Sequence, residues 1–398
     1  MRLLITTPFY APQLNGVAQV VQAHVQHFVR AGHQVTVATG FDPAREPTPP
    51  GANPTVVQFH VTGCAHPRAP FRGQVQAYQE FLRGWVVDVI MCHCWQIWST
   101  DLAVPCLGSH PARTVLVSHG FSAHVWPKIV RFPRGLVTWL GWRPYVWRAV
   151  RRMKQFDRVV FLSDLINRGV YYDAWLARRH GLSHTCVIPS GVHVAEFDEP
   201  LPDFRQAYGL GSEPMVLCVC NYDPWKNPLL VLQAFAQAAV KPAVLVFIGS
   251  VFTDYTTRMR QWYQQAGGES TVGRVIFLEK LHRSMVKAAY RAADLFVYGS
   301  LWESGPLVIL EAMAARTAFV SVDVGFVSKL PGGWVVRSLD EMAQAIRTLL
   351  LDEPRRQQLA QAGRAACEQT YDWAKIMPRY DALLASLAQP KGSRPSAP

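Results

Sequence analysis

Two glutamates, Glu303 and Glu311, frame an otherwise apolar stretch of this chain, with seven residues between them. Glu303 falls in a turn expected after a strand at 295–298, and Glu311 falls inside an expected helix. Pro306 suits the first position of that helix, because its ring presets φ and its missing N–H would have no partner there. Ser304 or Gly305 can cap it. Leu307, Val308, Ile309 and Leu310 then cover every face of one turn, which is the pattern of a buried helix. A carboxylate inside such a helix is costly unless something hydrogen-bonds to it. A strand, a glycine-containing turn and a helix start also make a site for anions, since the first amides point out unpaired and the dipole is positive there. Glu311, four residues after Leu307, lies one turn behind that mouth on the same side. A diphosphate held at the mouth would bring a ribose or sugar hydroxyl to each carboxylate. The plainer alternative is that two acids near a helix N-terminus complement its dipole.

A second loop adds a cation. Asn221 to Asn227 reads as the loop after a strand at 215–220, with Asn227 as cap and Pro228 as first residue of a helix at 228–238. Lys226 is poorly placed for the dipole of its own helix and well placed to share an anion with it.

The stretch from Leu301 to Gly325 resembles the signature of the family-four retaining glycosyltransferases of GT-B fold. That signature has two glutamates at this spacing, then Ala-Met-Ala, a small residue, and a strand ending in Asp-x-Gly. The resemblance implies that Glu311 binds the ribose of a nucleotide sugar and that Glu303 lies beside the transferred sugar. It implies that amides around Gly305, Leu307 and Val308, together with Lys226, hold the diphosphate. Backbone near Lys280 and Leu281 would read the nucleobase, and Gly16 would let backbone approach the donor phosphates. His93 and His119, each at a strand end, match the family's acceptor-side histidines, with His119 nearest the sugar. Glu303, His119 and Lys226 are the catalytic candidates. Three departures stand out: Gly305-Pro306 replaces the common Phe-Gly, Arg316 and Ala318 replace the usual Gly and Pro, and Asn221 occupies the usual Arg position. Arg283 or another residue could supply the charge missing at 221. The family retains anomeric configuration, by front-face attack guided by the leaving diphosphate. No residue reads as a general base. No Asp-x-Asp pair occurs, so no metal or other cofactor is expected.

The elements needed to position these residues follow in order. A buried strand at 2–7 leads through the turn-rich 8–16 into a helix whose Val17, Val20, Val21, Val25, Phe28 and Val29 keep helical rhythm. Strands follow at 34–39, 55–59, 86–92, 114–118, 157–163 and 185–189, then at 215–220, 244–249, 274–278, 295–298 and 332–336. Helices alternate with the later ones, at 228–238, 256–265, 285–293, 339–351 and 353–370. This is an α/β chain of two Rossmann-like doubly wound halves, and ligands of such open sheets bind at the carboxyl ends of strands. The expected division is residues 1–189, the acceptor side; 190–370, the nucleotide-sugar domain; 371–388, a helix crossing back; and a disordered tail at 389–398. No short internal repeat occurs.

The composition fits this scheme. The chain has 398 residues, 49% hydrophobic and 17% charged, enough for two globular domains. No apolar run reaches the ~18 residues of a membrane span, and the start reads as a strand rather than a leader. Eight cysteines lack framework spacing, which fits a reducing cytoplasm. Cys218 and Cys220 read as buried small hydrophobes. Cys92-His93-Cys94 reads as strand, with adjacent side chains on opposite faces, not as a metal site. Net charge is +12, which favours anionic partners. The excess concentrates between Leu102 and Phe156, which holds no Asp or Glu. There Lys128, Arg131, Arg134, Arg143, Arg148, Arg151, Arg152 and Lys154 interleave with Trp126, Trp139, Trp142 and Trp147. Residues 126–154, helical from 135 to 154, therefore read as a face for an anionic bilayer. The bland alternative is a solvated basic helix with its tryptophans in the core. No nucleic-acid module is present, and nucleic acid is not an expected partner. The functional expectation is transfer of a sugar from a nucleotide-diphosphate sugar to an unidentified acceptor, lipid-linked or a cell-envelope glycan, by a cytoplasmic protein peripheral to the membrane. The alternatives are a catalytically silent protein of the same fold that binds a sugar nucleotide or lipid, and an epimerase or phosphorylase.

Overall fold

A computed structural model describes residues 1–13, 15–121, 134–165 and 171–388. The chain forms two compact units, Met1–Ser190 with Ile376–Pro398, and Gly191–Lys375.

In the first unit the strands are β1 (Arg2–Thr6), β2 (Gln34–Gly40), β3 (Thr55–Phe59), a small ribbon of β4 (Val61–Thr62) and β5 (Arg72–Gly73), β6 (Val89–His93), β7 (Arg113–Ser118), β8 (Arg158–Phe161) and β9 (Thr185–Val187). All but the ribbon form one parallel sheet in the order β3-β2-β1-β6-β7-β8-β9. The order reverses between β1 and β6. Residues 90–92 and 115–117 are fully or almost fully buried, the continuous apolar runs of a sheet covered on both faces.

The second unit has β10 (Met215–Val219), β11 (Val244–Gly249), β12 (Arg274–Glu279), β13 (Leu295–Tyr298), β14 (Ala318–Val322) and β15 (Gly333–Val336). They form a parallel sheet in the order β12-β11-β10-β13-β14-β15, reversing between β10 and β13. The α/β, doubly wound architecture expected from the strand and helix alternation is present in each unit.

Three local expectations need correction. The helix after β13 is Leu307–Ala314, and Pro306 is its N-cap rather than its first turn, because its ψ of 101° is still extended. Asn227 precedes the helix Pro228–Ala238 in the left-handed region, at φ 48°, and its side chain makes no cap bond. Gly16 is not a loop residue but opens the helix Gly16–Arg30, and Asn15 caps it by accepting from the Ala18 amide at 2.9 Å. The sequence reading also passed over the helix Val75–Gly84, which buries only Tyr78 and Leu82 and so has a thin apolar stripe. The expected tail at 389–398 lies outside the described residues.

Phe296 sits at the middle of β13, fully buried, between Leu217 of β10 and Phe319 of β14. Phe296→Ala should lower unfolding free energy by about 3–5 kcal/mol, read from urea denaturation.

Candidate active site

In the second unit the reversal between β10 and β13 brings two loops together at the carboxyl ends of the strands. The Trp225 carbonyl accepts from the Leu301 amide at 2.8 Å, with Ser300 Oγ 3.2 Å away. Gly299 makes this approach possible, since a Cβ there would stand 2.9 Å from the Asn227 carbonyl oxygen.

Glu303 sits in the second of these loops. Its Oε1 accepts three hydrogen bonds: from the Lys226 ammonium, from the Tyr298 hydroxyl at 2.5 Å and from Ser300 Oγ at 2.9 Å. Burial pulls the Lys226 ammonium down, but the charge and hydrogen bond of Glu303 outweigh it and leave Lys226 above its ordinary value. Burial first, then the Glu303 charge, pushes the Tyr298 phenol well up, so it remains a donor.

Glu311 is 5% exposed. Arg283, the first residue of the helix Arg283–Ala292, donates to its Oε1 at 2.5 Å. Burial pulls this guanidinium down as well, and Glu311 more than restores it. Tyr290 is buried beside the same carboxylate, and burial and that charge together push its phenol well up. The carboxylate that looked costly in the sequence is thus paired. Arg283, proposed there as a replacement for the charge missing at 221, is committed to Glu311. Asn221 itself is exposed and accepts from Ser250 Oγ at 2.8 Å.

Between the two glutamates lies the helix mouth. The Ile309 amide bonds back to the Pro306 carbonyl at 3.1 Å, so Leu307 and Val308 carry the amides that precede the helical ladder. Gly305 allows the loop to lie against Phe326, whose ring a Cβ would meet at 2.5 Å. Gly325, at φ +54°, brings its backbone under Ser304. Sequence reasoning missed this support, although Asp323-Val324-Gly325 was the signal for it. Lys280 follows β12 in the left-handed region at φ 55°, its amide donating to the Gly249 carbonyl at 3.2 Å, with Leu281 half-buried beside it. Glu303, Glu311, Lys226, Asn221, Lys280, Leu281, Gly305, Leu307 and Val308 all fall on the carboxyl-end side of this one sheet.

The first unit holds the remaining candidates. His93 ends β6 and His119 follows β7, and His93 Nδ1 lies 3.0 Å from His119 Nε2. His24, from the helix Gly16–Arg30, places Nδ1 3.5 Å from His93 Nε2. Sequence reasoning overlooked His24; a polar residue between Val21 and Val25 on the buried face was the available signal. Burial, and then the neighbouring imidazoles, pulls His24 down to about 3 and His93 well below the usual range; burial pulls His119 down to about 4. Two acids of the same unit are also buried. Asp101 accepts from Tyr145 at 2.6 Å and Asp173 from Ser118 at 2.6 Å, and burial pushes each up to about 6. Cys92 and Cys94 are buried thiols pushed up to about 12 by burial. No group of three or more His, Cys, Asp or Glu that could hold a metal occurs among the described residues.

Two parallel α/β sheets, each with candidate residues at its strand reversal, define a protein of the GT-B class. Two family models match: Glycosyltransferase Family 4 over residues 14–196 and Glycosyl transferases group 1 over residues 202–366. The chain belongs to the family-four glycosyltransferases. It is 28% identical over 257 residues to D-inositol 3-phosphate glycosyltransferase of Xylanimonas cellulosilytica, covering 60% of each chain. It is 22% identical over 331 residues to the α-monoglucosyldiacylglycerol synthase of Streptococcus pneumoniae, covering 81% of this chain and 71% of that one. Its fold matches the Anabaena protein HepE, solved with UDP and glucose, at a TM-score of 0.74 and 18% identity, over 97% of this chain and 100% of that one. The chain spans between 40% and 60% of the length of the first curated relatives it matches.

The titrating groups of the first unit oppose one another. The three histidines bind protons less well folded than unfolded, so their contribution is full above about pH 6.5 and is lost as pH falls toward 4. Asp101 and Asp173 bind protons better when folded, so they add stability as pH falls from about 6 to 4. His33 is lowered as well, by burial first, so four histidines oppose two acids. Unfolding free energy should decline between pH 6.5 and 4, and His24→Gln should flatten that slope in denaturation curves taken across the range.

Proposed function

We propose that this chain is a retaining glycosyltransferase that moves a hexosyl unit from a nucleotide-diphosphate sugar to a hydroxyl acceptor. The observation that carries the reading is the pair Glu303 and Glu311 flanking a helix mouth at the strand reversal of the second unit, each with a cation of its own. In this reading Glu311 takes the ribose hydroxyls and Glu303 lies by the transferred sugar. Lys226 and the amides from Gly305 to Val308 take the diphosphate, and backbone at Lys280 and Leu281 faces the base. Asn221 contributes no charge. Gly16 serves the donor phosphates, and His93 and His119 serve the acceptor side. Catalysis rests on stabilising the departing diphosphate through Lys226, the amides and the dipole behind them, all fixed before the charge develops. Front-face attack assisted by the leaving group then retains configuration without a protein base. Because charge is met by these groups, the reaction in this reading uses no metal. The names of two relatives, a D-inositol 3-phosphate glycosyltransferase and an α-monoglucosyldiacylglycerol synthase, support a sugar-nucleotide donor and an acceptor of glycolipid or cell-envelope type.

The acceptor side of this reading includes an anionic membrane surface on the cytoplasmic face. The helix Arg134–Met153 supports it. Trp142 and Tyr145 are buried, whereas Leu136, Val137 and Leu140 are exposed and Trp147 is 77% exposed. Leu140, Pro144, Trp147 and Arg151 follow one another at helical spacing on the open side, flanked by exposed Arg148 and Lys154. An indole in water among guanidinium groups suits a headgroup layer, where both can settle. Trp126, Lys128 and Arg131 lie outside the described residues. No helix among the described residues is long and apolar enough to cross a membrane.

A silent binder of a sugar nucleotide is the second reading. It draws on Asn221, uncharged where the family has Arg, and on Lys226, already paired with Glu303.

Glu311→Ala should weaken UDP-sugar or GDP-sugar binding at least tenfold by calorimetry, and unchanged affinity would remove Glu311 from the ribose role. Release of nucleoside diphosphate from a donor panel with membrane extract separates enzyme from silent binder. Co-sedimentation with phosphatidylglycerol vesicles at low salt should be strong and should fall with Trp147→Ala; equal recovery with phosphatidylcholine vesicles would refute an electrostatic membrane surface.

A further inference from the structure

Three imidazoles from three separate segments form a line in the first unit. His93 spans the middle, Nδ1 3.0 Å from His119 Nε2 and Nε2 3.5 Å from His24 Nδ1. His24 and His93 have no exposed surface, and His119 is half-buried. Phe28 and Tyr380 pack around His24, with ring centroids at 6.0 and 4.3 Å. An imidazole in that apolar setting is costly to desolvate, and a leucine would fill the same place without the cost. The nitrogens of His93 point at two different rings, so the three do not share a common point where a cation could sit.

Burial keeps all three rings neutral at ordinary pH. A neutral imidazole carries one N–H and one lone pair, on opposite nitrogens. His93 has both nitrogens engaged, so its two neighbours are tied to each other. If His24 donates from Nδ1 to His93 Nε2, then His93 donates from Nδ1 to His119 Nε2, and the proton of His119 is on Nδ1. If instead His119 donates from Nε2, the order reverses and every ring carries its proton on Nε2. Only these two registers satisfy both contacts. In the first, His119 shows a ligand an N–H; in the second, it shows a lone pair.

We propose that His24 and His93 are positioning residues that fix the tautomer of His119, and so decide whether that ring gives or receives a hydrogen bond at a sugar hydroxyl. The inference rests on the reading of His119 as a ligand-facing residue. It adds His24, which lies two rings back and touches no ligand itself. The line needs no charged intermediate. A change at His24 alters which nitrogen of His119 is protonated, without moving the backbone that carries it.

The test is ¹⁵N NMR of the full chain labelled at histidine, with His24, His93 and His119 assigned from single variants. The expected result is one shared tautomer, all three protonated on Nδ1 or all three on Nε2. Mixed tautomers among the three rings, or an imidazolium at pH 7, would overturn the relay. His24→Leu should then shift the ¹⁵N resonances of His119 and lower kcat about tenfold, with KM for the nucleotide sugar unchanged within about twofold. His24→Gln, which can both give and accept, should recover part of that loss. His24→Leu added to His119→Gln should cost nothing further, as for residues acting in one line. Fully additive losses, or unshifted His119 resonances in a folded His24→Leu protein, would reduce His24 to packing. Undiminished transfer by His119→Gln would overturn the ligand-facing reading of His119 itself, an outcome distinct from failure of the tautomer relay.

Discussion

A buried carboxylate has to be met by a cation, and in the second unit this requirement is satisfied twice at one helix mouth. Glu311 on the helix Leu307–Ala314 is met by Arg283 from the segment after β12, and Glu303 is met by Lys226 from the loop after β10. Removing either cation would leave its acid uncompensated in a poorly hydrated place, which costs far more than the pair contributes. The pairs therefore hold three loops in register: those after β10, β12 and β13. The bond from the Leu301 amide to the Trp225 carbonyl ties the first and third of these loops directly. The helix mouth is aimed by this web as much as by the sheet beneath it.

Much of this was legible in the sequence, and for physical reasons. The strands β10, β11, β13 and β14 are short apolar runs between turn residues, and such runs have few alternatives in a parallel sheet. The glutamates were legible because a charge within Leu307–Leu310 and its surroundings contradicts its setting. Their partners were less so. Lys226 was visible as a cation at the wrong end of a helix, but nothing local says that it reaches Glu303, 77 residues away. Arg283 begins an ordinary amphipathic helix, and only the fold brings it to Glu311. The fine start of each helix also escaped. Whether Pro306 is the cap or the first residue depends on one ψ, and the left-handed φ of Asn227 has no signal in the neighbouring sequence.

The first unit shows the same limit from the other side. His93 and His119 stood out as polar residues at strand ends. His24 did not, because a single histidine on an apolar helix face is ordinary, and its significance lies in two contacts contributed by other segments. The basic helix Arg134–Met153 divides the two readings of its tryptophans. Trp142 belongs to the core, while Trp147 stands in solvent, and Trp139 lies between, with Arg143 stacked 4.1 Å over its ring.

The four charged groups at the helix mouth cancel: two carboxylates, one ammonium and one guanidinium. In the proposed reading, a bare oxyanion that recruited Lys226 or Arg283 in addition to the amides would leave the paired acid stranded. A molecule that brings hydroxyls along with its diphosphate can replace what it takes, since each abandoned carboxylate is offered an alcohol in exchange. In the proposed reading, electrical balance at rest disfavours the simple salts of the surrounding solution and favours a ligand carrying both kinds of group at once.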